Sequence, residues 1–181
     1  MTNYRRMRVE GGTYFFTGAL ANRHASTLVD HIDLLRDACR MVQRSRPVTI
    51  DAMVILPDHL HAVWTLPEGD ADYSTRWKEI KTAFTKGVLH RDPNVLRAPS
   101  ISKRSRREKG IWQRRFWEHT IRSETDFQTC VEYCWFNPVK HGLVGRVRDW
   151  PFSSFHRDVR CGIVGSDWAG DQVDGELGEA A

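Results

Sequence analysis

The chain has 181 residues, of which 40% are hydrophobic, 10% aromatic and 28% charged, and its formal net charge is +4. These values are typical of one folded domain with a single core, and they disfavour a disordered chain or two domains of equal size. Because no apolar run approaches the ~20 residues that cross a bilayer, and no apolar signal core follows the first residues, a cytoplasmic protein is expected.

The first half of the chain predicts the order strand, helix, strand, strand. Residues 13–20 are rich in aromatic and β-branched side chains, which indicates a strand. Over residues 28–44 apolar side chains recur at steps of three and four, which predicts an amphipathic helix. Residues 48–56 and 59–66 are two further strands separated by the tight turn Pro57-Asp58, so they should pair as an antiparallel hairpin.

The second half predicts a helix over residues 74–89, a strand over 116–122 and a helix over 124–136. The order βαββαβ followed by α is the ferredoxin-like, split-βαβ pattern. It predicts an α+β fold in which an antiparallel sheet has helices on one face and an additional C-terminal helix. One domain is expected over residues 1–165, followed by an acidic tail over 166–181.

Basic charge is concentrated in one stretch of the chain. Residues 76–115 contain thirteen Lys and Arg against three acidic residues, a net charge of +10 that leaves −6 for the remainder. This chemistry suits neutralisation of phosphates, so the predicted partner is nucleic acid, with no membrane and no small-molecule cofactor. A solvated loop is the alternative for the insert at about residues 91–110. The candidate DNA contacts here are Lys103, Arg104, Arg106, Arg107, Arg114 and Arg115.

A His-x-His pair in the third predicted strand is the first candidate for a metal site. Since alternate residues of a strand share a face, His59 and His61 project together, opposite the apolar residues of that strand. On an open sheet face they could bind one divalent ion, although two half-buried polar side chains are the plainer interpretation of the pair alone. The four cysteines contain no Cys-x-x-Cys pair and indicate neither a disulfide framework nor a structural zinc site.

The last predicted helix carries the other candidate groups. Tyr133 lies roughly 130° from the centre of the apolar stripe, which is not where a core aromatic belongs. Asn137 lies one turn further on the same side, unless it only ends the helix before the following proline. A phenol beside a bound ion suits attack on a phosphodiester, so the set predicts a DNA-nicking enzyme with Tyr133 as nucleophile. The ligands of the ion would be His59, His61 and Asn137.

Taken together, these motifs resemble the HUH single-tyrosine transposases, and more closely the REP-associated tyrosine transposases. The matching segments are Tyr4-Arg5-Arg6 and residues 11–17, 56–61, 115–119, 131–133, 137–142 and 150–154. The resemblance covers about residues 4–171, and the ordered combination is specific. It implies that the two histidines bind Mg²⁺ or Mn²⁺ and that the tyrosine forms a 5′-phosphotyrosine with single-stranded DNA at repetitive palindromic hairpins. Arg5 and Arg6 in the N-terminal arm would contact the hairpin, which a short guide sequence flanks.

Two other functions stay open: a catalytically silent palindrome-binding module, and an RNA-binding domain that uses its sheet face. Neither needs a tyrosine away from the core stripe or two histidines on one sheet face, so the residues favour the enzyme. Glu118 is a reserve ligand, whereas His119 is expected to be a packed residue. The sequence does not distinguish a monomer from a dimer.

Overall fold

A four-stranded antiparallel sheet forms the centre of the computed structural model, which describes residues 7–93, 95 and 110–168. The strands are β1 (Thr13–Ala19), β2 (Thr49–Ile55), β3 (His59–Thr65) and β4 (Trp117–Thr120). They lie in the order β2-β3-β1-β4, with β2 and β3 joined as the predicted hairpin. The order is that of a split βαβ fold, so the predicted α+β, ferredoxin-like class is confirmed.

Helices cover both faces of this sheet. They are α1 (Thr27–Asp30), α2 (Ile32–Ser45), α3 (Tyr73–Arg91), α4 (Glu124–Lys140) and α5 (Phe155–Arg160), with a 3-10 turn at Val147–Asp149. The predicted helix over residues 28–44 is interrupted at His31, whose backbone is not helical. α2 and α3 pack on one face, and α4, the predicted additional helix, packs on the other. Within the described ranges, no helix combines the length and apolar character needed to cross a membrane.

Strand alternation divides the core into two clusters. Tyr14 and Phe16 of β1 point toward α2 and α3, where Trp64 and Trp77 stack with ring centroids 4.3 Å apart. Phe15, between them, points to the α4 side. Each large apolar side chain buried in this way stabilises the fold by about 1.5–3 kcal/mol. The same alternation places the odd-numbered residues of β3 on the α4 side.

The C-terminal part of the chain covers the outer edge of the sheet next to α4. Ile55 N–H of the edge strand β2 donates to the Phe152 carbonyl, and Ser154 N–H donates to the Met53 carbonyl. These bonds satisfy backbone groups that an edge strand otherwise leaves open. The same segment leads into α5, whose Phe155 packs against Trp135 of α4.

α4 is one turn longer than predicted, because it continues through Pro138 to Lys140. Proline cannot donate to the Cys134 carbonyl, but the helix resumes at once, and His141 N–H donates to the Asn137 carbonyl at 3.0 Å. Asn137 is therefore a residue of the helix interior. Its alternative role, ending the helix before the proline, is excluded because burial of the last turn outweighs the local preference.

Candidate active site

The histidine pair lies at the start of β3, with the ring centroids of His59 and His61 5.1 Å apart. His59 Nδ1 donates to the Asp58 carboxylate at 2.7 Å, and His61 Nδ1 is 2.9 Å from the Thr17 hydroxyl. Both Nε2 atoms are buried and have no hydrogen-bond partner among residues 7–93, 95 and 110–168. A neutral imidazole held through Nδ1 presents the Nε2 lone pair, which is the form that binds a metal ion.

The face of the sheet that carries these histidines is not open, contrary to expectation. His59 is 2% exposed and His61 is fully buried, because α4 lies across them. Burial lowers the pKa of His59, although the Asp58 carboxylate acts in the opposite direction. Burial lowers the pKa of His61 well below its usual value, and the neighbouring His59 adds to the effect. Both rings are therefore neutral at neutral pH.

Arg23 supports this arrangement from outside the pair. Its Nε is 3.1 Å from the second carboxylate oxygen of Asp58, whose first oxygen accepts from His59. A carboxylate that is held in this way fixes both the tautomer and the orientation of the imidazole. The sequence pattern places Asp58 in a turn, so its role is visible only in its contacts with His59 and Arg23.

α4 places Tyr133 against the histidines. Its ring centroid lies 5.2 Å from that of His61 and 5.7 Å from that of Phe15, edge-on in both cases. The prediction that Tyr133 lies away from the core is wrong, since its side chain is 2% exposed. The sheet covers one side of α4, while Phe155 and Trp168 cover Trp135 on another. The buried arc of the helix therefore spans about 200° and not one narrow stripe.

Asn137 lies between two contacts of the same helix with the histidine pair. It follows Tyr133 by one turn and precedes His141 by one turn, and the His141 ring centroid is 5.0 Å from that of His59. Helix periodicity therefore directs Asn137 toward the pair. Its amide is fully buried, and neither polar atom has a hydrogen-bond partner in the described part of the chain. The structure thus brings together all four of the predicted catalytic and metal-binding residues.

Lys140 joins the site, although sequence reasoning left it without a role. Its Nζ is 3.3 Å from Tyr133 Oη and 4.9 Å from the centroid of that ring. Lys140 and His141 are exposed at the end of α4, so this end of the buried site borders solvent. Their spacing of seven and eight residues from Tyr133 is a helical signal, which the predicted end of the helix at residue 136 concealed.

β4 carries two residues that the sequence analysis considered, Glu118 as a reserve ligand and His119 as a packed residue. Glu118 lies opposite Phe16 in the register with β1, so it points to the α2 and α3 side and cannot join the histidines. The suggestion of Glu118 as reserve ligand is therefore wrong, because facing residues of antiparallel strands share a face. His119 stacks on Trp117 as expected, and it also pairs with Asp126 at 2.9 Å.

The predicted DNA contacts are only partly within the described residues. Arg114 and Arg115 precede β4 and are exposed, which is the position that phosphate contacts require. Outside the described residues lie Arg5, Arg6, Lys103, Arg104, Arg106 and Arg107, and also the end of the acidic tail from residue 169.

Comparison with known proteins finds relatives over almost the whole chain, although no protein-family model matches it. It is 48% identical over 179 residues to an Escherichia coli K12 protein named REP-associated tyrosine transposase, covering 99% of this chain and 98% of that protein. A Haemophilus influenzae relative named for the same family is 45% identical over 171 residues, covering 94% and 95% of the two chains. A solved structure of the REP-associated tyrosine transposase bound to a REP hairpin is similar with a TM-score of 0.84 and 46% identity, covering 100% of this chain and 99% of that one.

Proposed function

The chain belongs to the REP-associated tyrosine transposases, a family of enzymes, and on this basis we propose that it nicks and rejoins single-stranded DNA at REP hairpins. One observation carries the proposal. The Tyr133 phenol lies beside three buried polar side chains, His59, His61 and Asn137, which have atoms without a hydrogen-bond partner among the residues that the structure describes. A buried polar group without a partner costs about 1–3 kcal/mol, so three in one place indicate a ligand that would satisfy them.

The donor set suits a divalent cation, with His59 Nε2, His61 Nε2 and the Asn137 amide oxygen as the protein ligands. The amide oxygen suits Mg²⁺ or Mn²⁺, and the two neutral imidazoles favour the transition-metal ion Mn²⁺ over Mg²⁺, which prefers oxygen; no thiol belongs to the set. When bound, the ion would polarise the scissile phosphate and stabilise the negative charge that develops on it. Asp58 and Thr17 would hold the two imidazoles in the ligating tautomer.

Tyr133 would act as the nucleophile. Its Oη forms a bond with phosphorus, and the bond from phosphorus to the 3′ oxygen of the preceding nucleotide breaks. The departing oxygen keeps the electron pair and takes up a proton, which gives a free 3′ hydroxyl, while the phenol proton leaves to solvent. The product is a 5′-phosphotyrosine. Attack by a 3′ hydroxyl reverses the step and rejoins strands without an external energy source.

Lys140 would assist this attack through its charge. Its ammonium group donates to the phenolic oxygen, so it stabilises negative charge on that oxygen and attracts a phosphate toward it. Tyr133 is 2% exposed, and contact with DNA therefore requires displacement of the groups around it. Lys140 lies over the ring on a flexible, exposed stem, so it can move aside while remaining paired with the incoming phosphate.

We expect Lys140→Met to lower the cleavage rate roughly tenfold to a hundredfold, because a hydrogen bond from a charged donor contributes about 1.5–3 kcal/mol. Lys140→Arg should retain most of the rate, since the charge and donor remain. The measurement is single-turnover cleavage of a labelled hairpin strand with enzyme in excess. Lys78→Met removes an exposed lysine of α3 and serves as the control. A rate in Lys140→Met equal to that of Lys78→Met would contradict the role.

The function itself is tested by incubating the full chain with a labelled single-stranded REP hairpin and either Mg²⁺ or Mn²⁺. A denaturing gel should show a shortened strand and a slower band that protease treatment removes, because the DNA end is joined to protein. Addition of a chelator should suppress both products. Hairpin binding without either product, in both metals, would favour the silent binding module.

A further inference from the structure

A second cluster of metal-binding groups joins β4 to the first turns of α4, apart from the histidine pair. His119, Asp126 and Cys130 each offer one ligand atom, and these atoms all lie within 4.8 Å of one another. His119 Nε2 is 2.9 Å from both carboxylate oxygens of Asp126, and Cys130 Sγ is 3.8 Å from one of them. An imidazole, a carboxylate and a thiol therefore converge on one point.

These separations are close to those of ligands that share one ion. Zinc binds nitrogen and oxygen at about 2.0–2.2 Å and thiolate at about 2.3 Å, so tetrahedral ligands lie roughly 3.3–3.7 Å apart. Small rotations of the three side chains would bring the cluster to this spacing. We propose that His119, Asp126 and Cys130 form a second metal site, one that binds Zn²⁺ or an ion of the same borderline class.

The surroundings leave room for a fourth ligand. The His119 side chain is 34% exposed and that of Asp126 is 25% exposed, so solvent reaches the cluster from one side. Cys130 is fully buried and closes the other side. Zinc is commonly bound by three protein ligands, with a water molecule in the fourth coordination position.

The Asp126 carboxylate is held in place by contacts other than the cluster. One carboxylate oxygen accepts from Arg122 N–H at 3.0 Å, and the backbone N–H of Asp126 donates to the Ser123 hydroxyl at 3.1 Å. The ligand is thus positioned before any ion arrives, which lowers the cost of binding. When the ion binds, the Cys130 thiol proton leaves to solvent and the sulfur forms the bond.

The thiol separates this site from the histidine pair chemically. Thiolate ligands favour zinc-like ions, whereas Mg²⁺ prefers oxygen. The two sites should therefore bind different metals in one chain. Because Cys130 precedes Tyr133 by one turn of α4, an ion here would tie the tyrosine helix to the edge strand β4.

Cobalt provides the test, because Co²⁺ bound to a thiolate absorbs in the near ultraviolet and Co²⁺ bound to imidazole and oxygen alone does not. Full-length protein titrated with Co²⁺ should develop this band, and one equivalent of Zn²⁺ should remove it. Cys130→Ser should lose the band. Cys134→Ser, one turn further along α4 and equally buried, and Cys161→Ser at the surface should keep it. His59→Ala should also keep it, since that residue belongs to the other site.

Three results would overturn the proposal: no band in the unmodified protein, a band that survives Cys130→Ser, or a band that disappears with Cys161→Ser. Should Cys130→Ser fail to fold, His119→Gln gives an independent answer, because its ring is partly exposed and its loss disturbs the fold less. In that variant the near-ultraviolet band should require roughly tenfold or more Co²⁺ to develop than in the unmodified protein. Equal affinity would show that His119 is not a ligand.

Discussion

Tyr133→Phe is expected to abolish the covalent DNA adduct and to lower strand cleavage roughly 10⁴-fold or more, while hairpin binding and the fold persist. The change removes only Oη, the one atom that can bond to phosphorus, and the ring still packs edge-on against Phe15 and His61. In the folded protein the phenol is neutral, Lys140 is exposed and their hydrogen bond is long at 3.3 Å, so its loss should reduce the free energy of unfolding by only about 1 kcal/mol. Single-turnover cleavage and thermal unfolding measure the two effects.

Tyr14→Phe is the matched control for this experiment. Tyr14 lies on the opposite face of the sheet, where its hydroxyl accepts from Val9 N–H at 2.6 Å and donates to the Val9 carbonyl at 3.0 Å. Its removal should lower stability by about 1 kcal/mol and leave cleavage unchanged. Mass spectrometry of the trapped adduct should locate DNA on the Tyr133 peptide. DNA attached to Tyr14, or full cleavage by Tyr133→Phe, would overturn the assignment of the nucleophile.

His59→Ala and His61→Ala should each reduce cleavage roughly 10³-fold or more, because a metal ion contributes several kcal/mol to the stabilisation of the transition state. DNA binding should change little, since affinity for the hairpin depends mainly on basic residues elsewhere. In the unmodified protein, Mn²⁺ should raise the melting temperature, and in both variants this increase should disappear.

His90→Ala is the control for the histidine variants, since His90 is exposed near the end of α3. It should cleave at the normal rate and retain the effect of Mn²⁺ on melting. Undiminished cleavage in both His59→Ala and His61→Ala would remove the metal site from the proposed mechanism. Loss of hairpin binding in either variant would show that the histidines serve the fold or the DNA interface.

Periodicity in the sequence was enough to predict the order of the strands and helices and two features of the site. His59 and His61 share a face because successive side chains of any strand alternate, whatever lies around it. Tyr133 and Asn137 share a side of the helix because residues four apart are neighbours in any α-helix. Both relations arise from backbone geometry within one element, so local sequence determines them.

The tertiary structure alone decided how these elements meet. α4 lies across the sheet face that was predicted to be open, and this placement buries His59, His61 and Tyr133 together. Its extra turn beyond Pro138 adds Lys140, because packing outweighs the local preference of the residue before proline. The contact of His119 with Asp126 and Cys130 joins a strand to a helix, so the spacing of these residues in the sequence does not predict it. Such contacts depend on which faces pack to bury apolar surface, and that is a property of the whole chain and of no single segment.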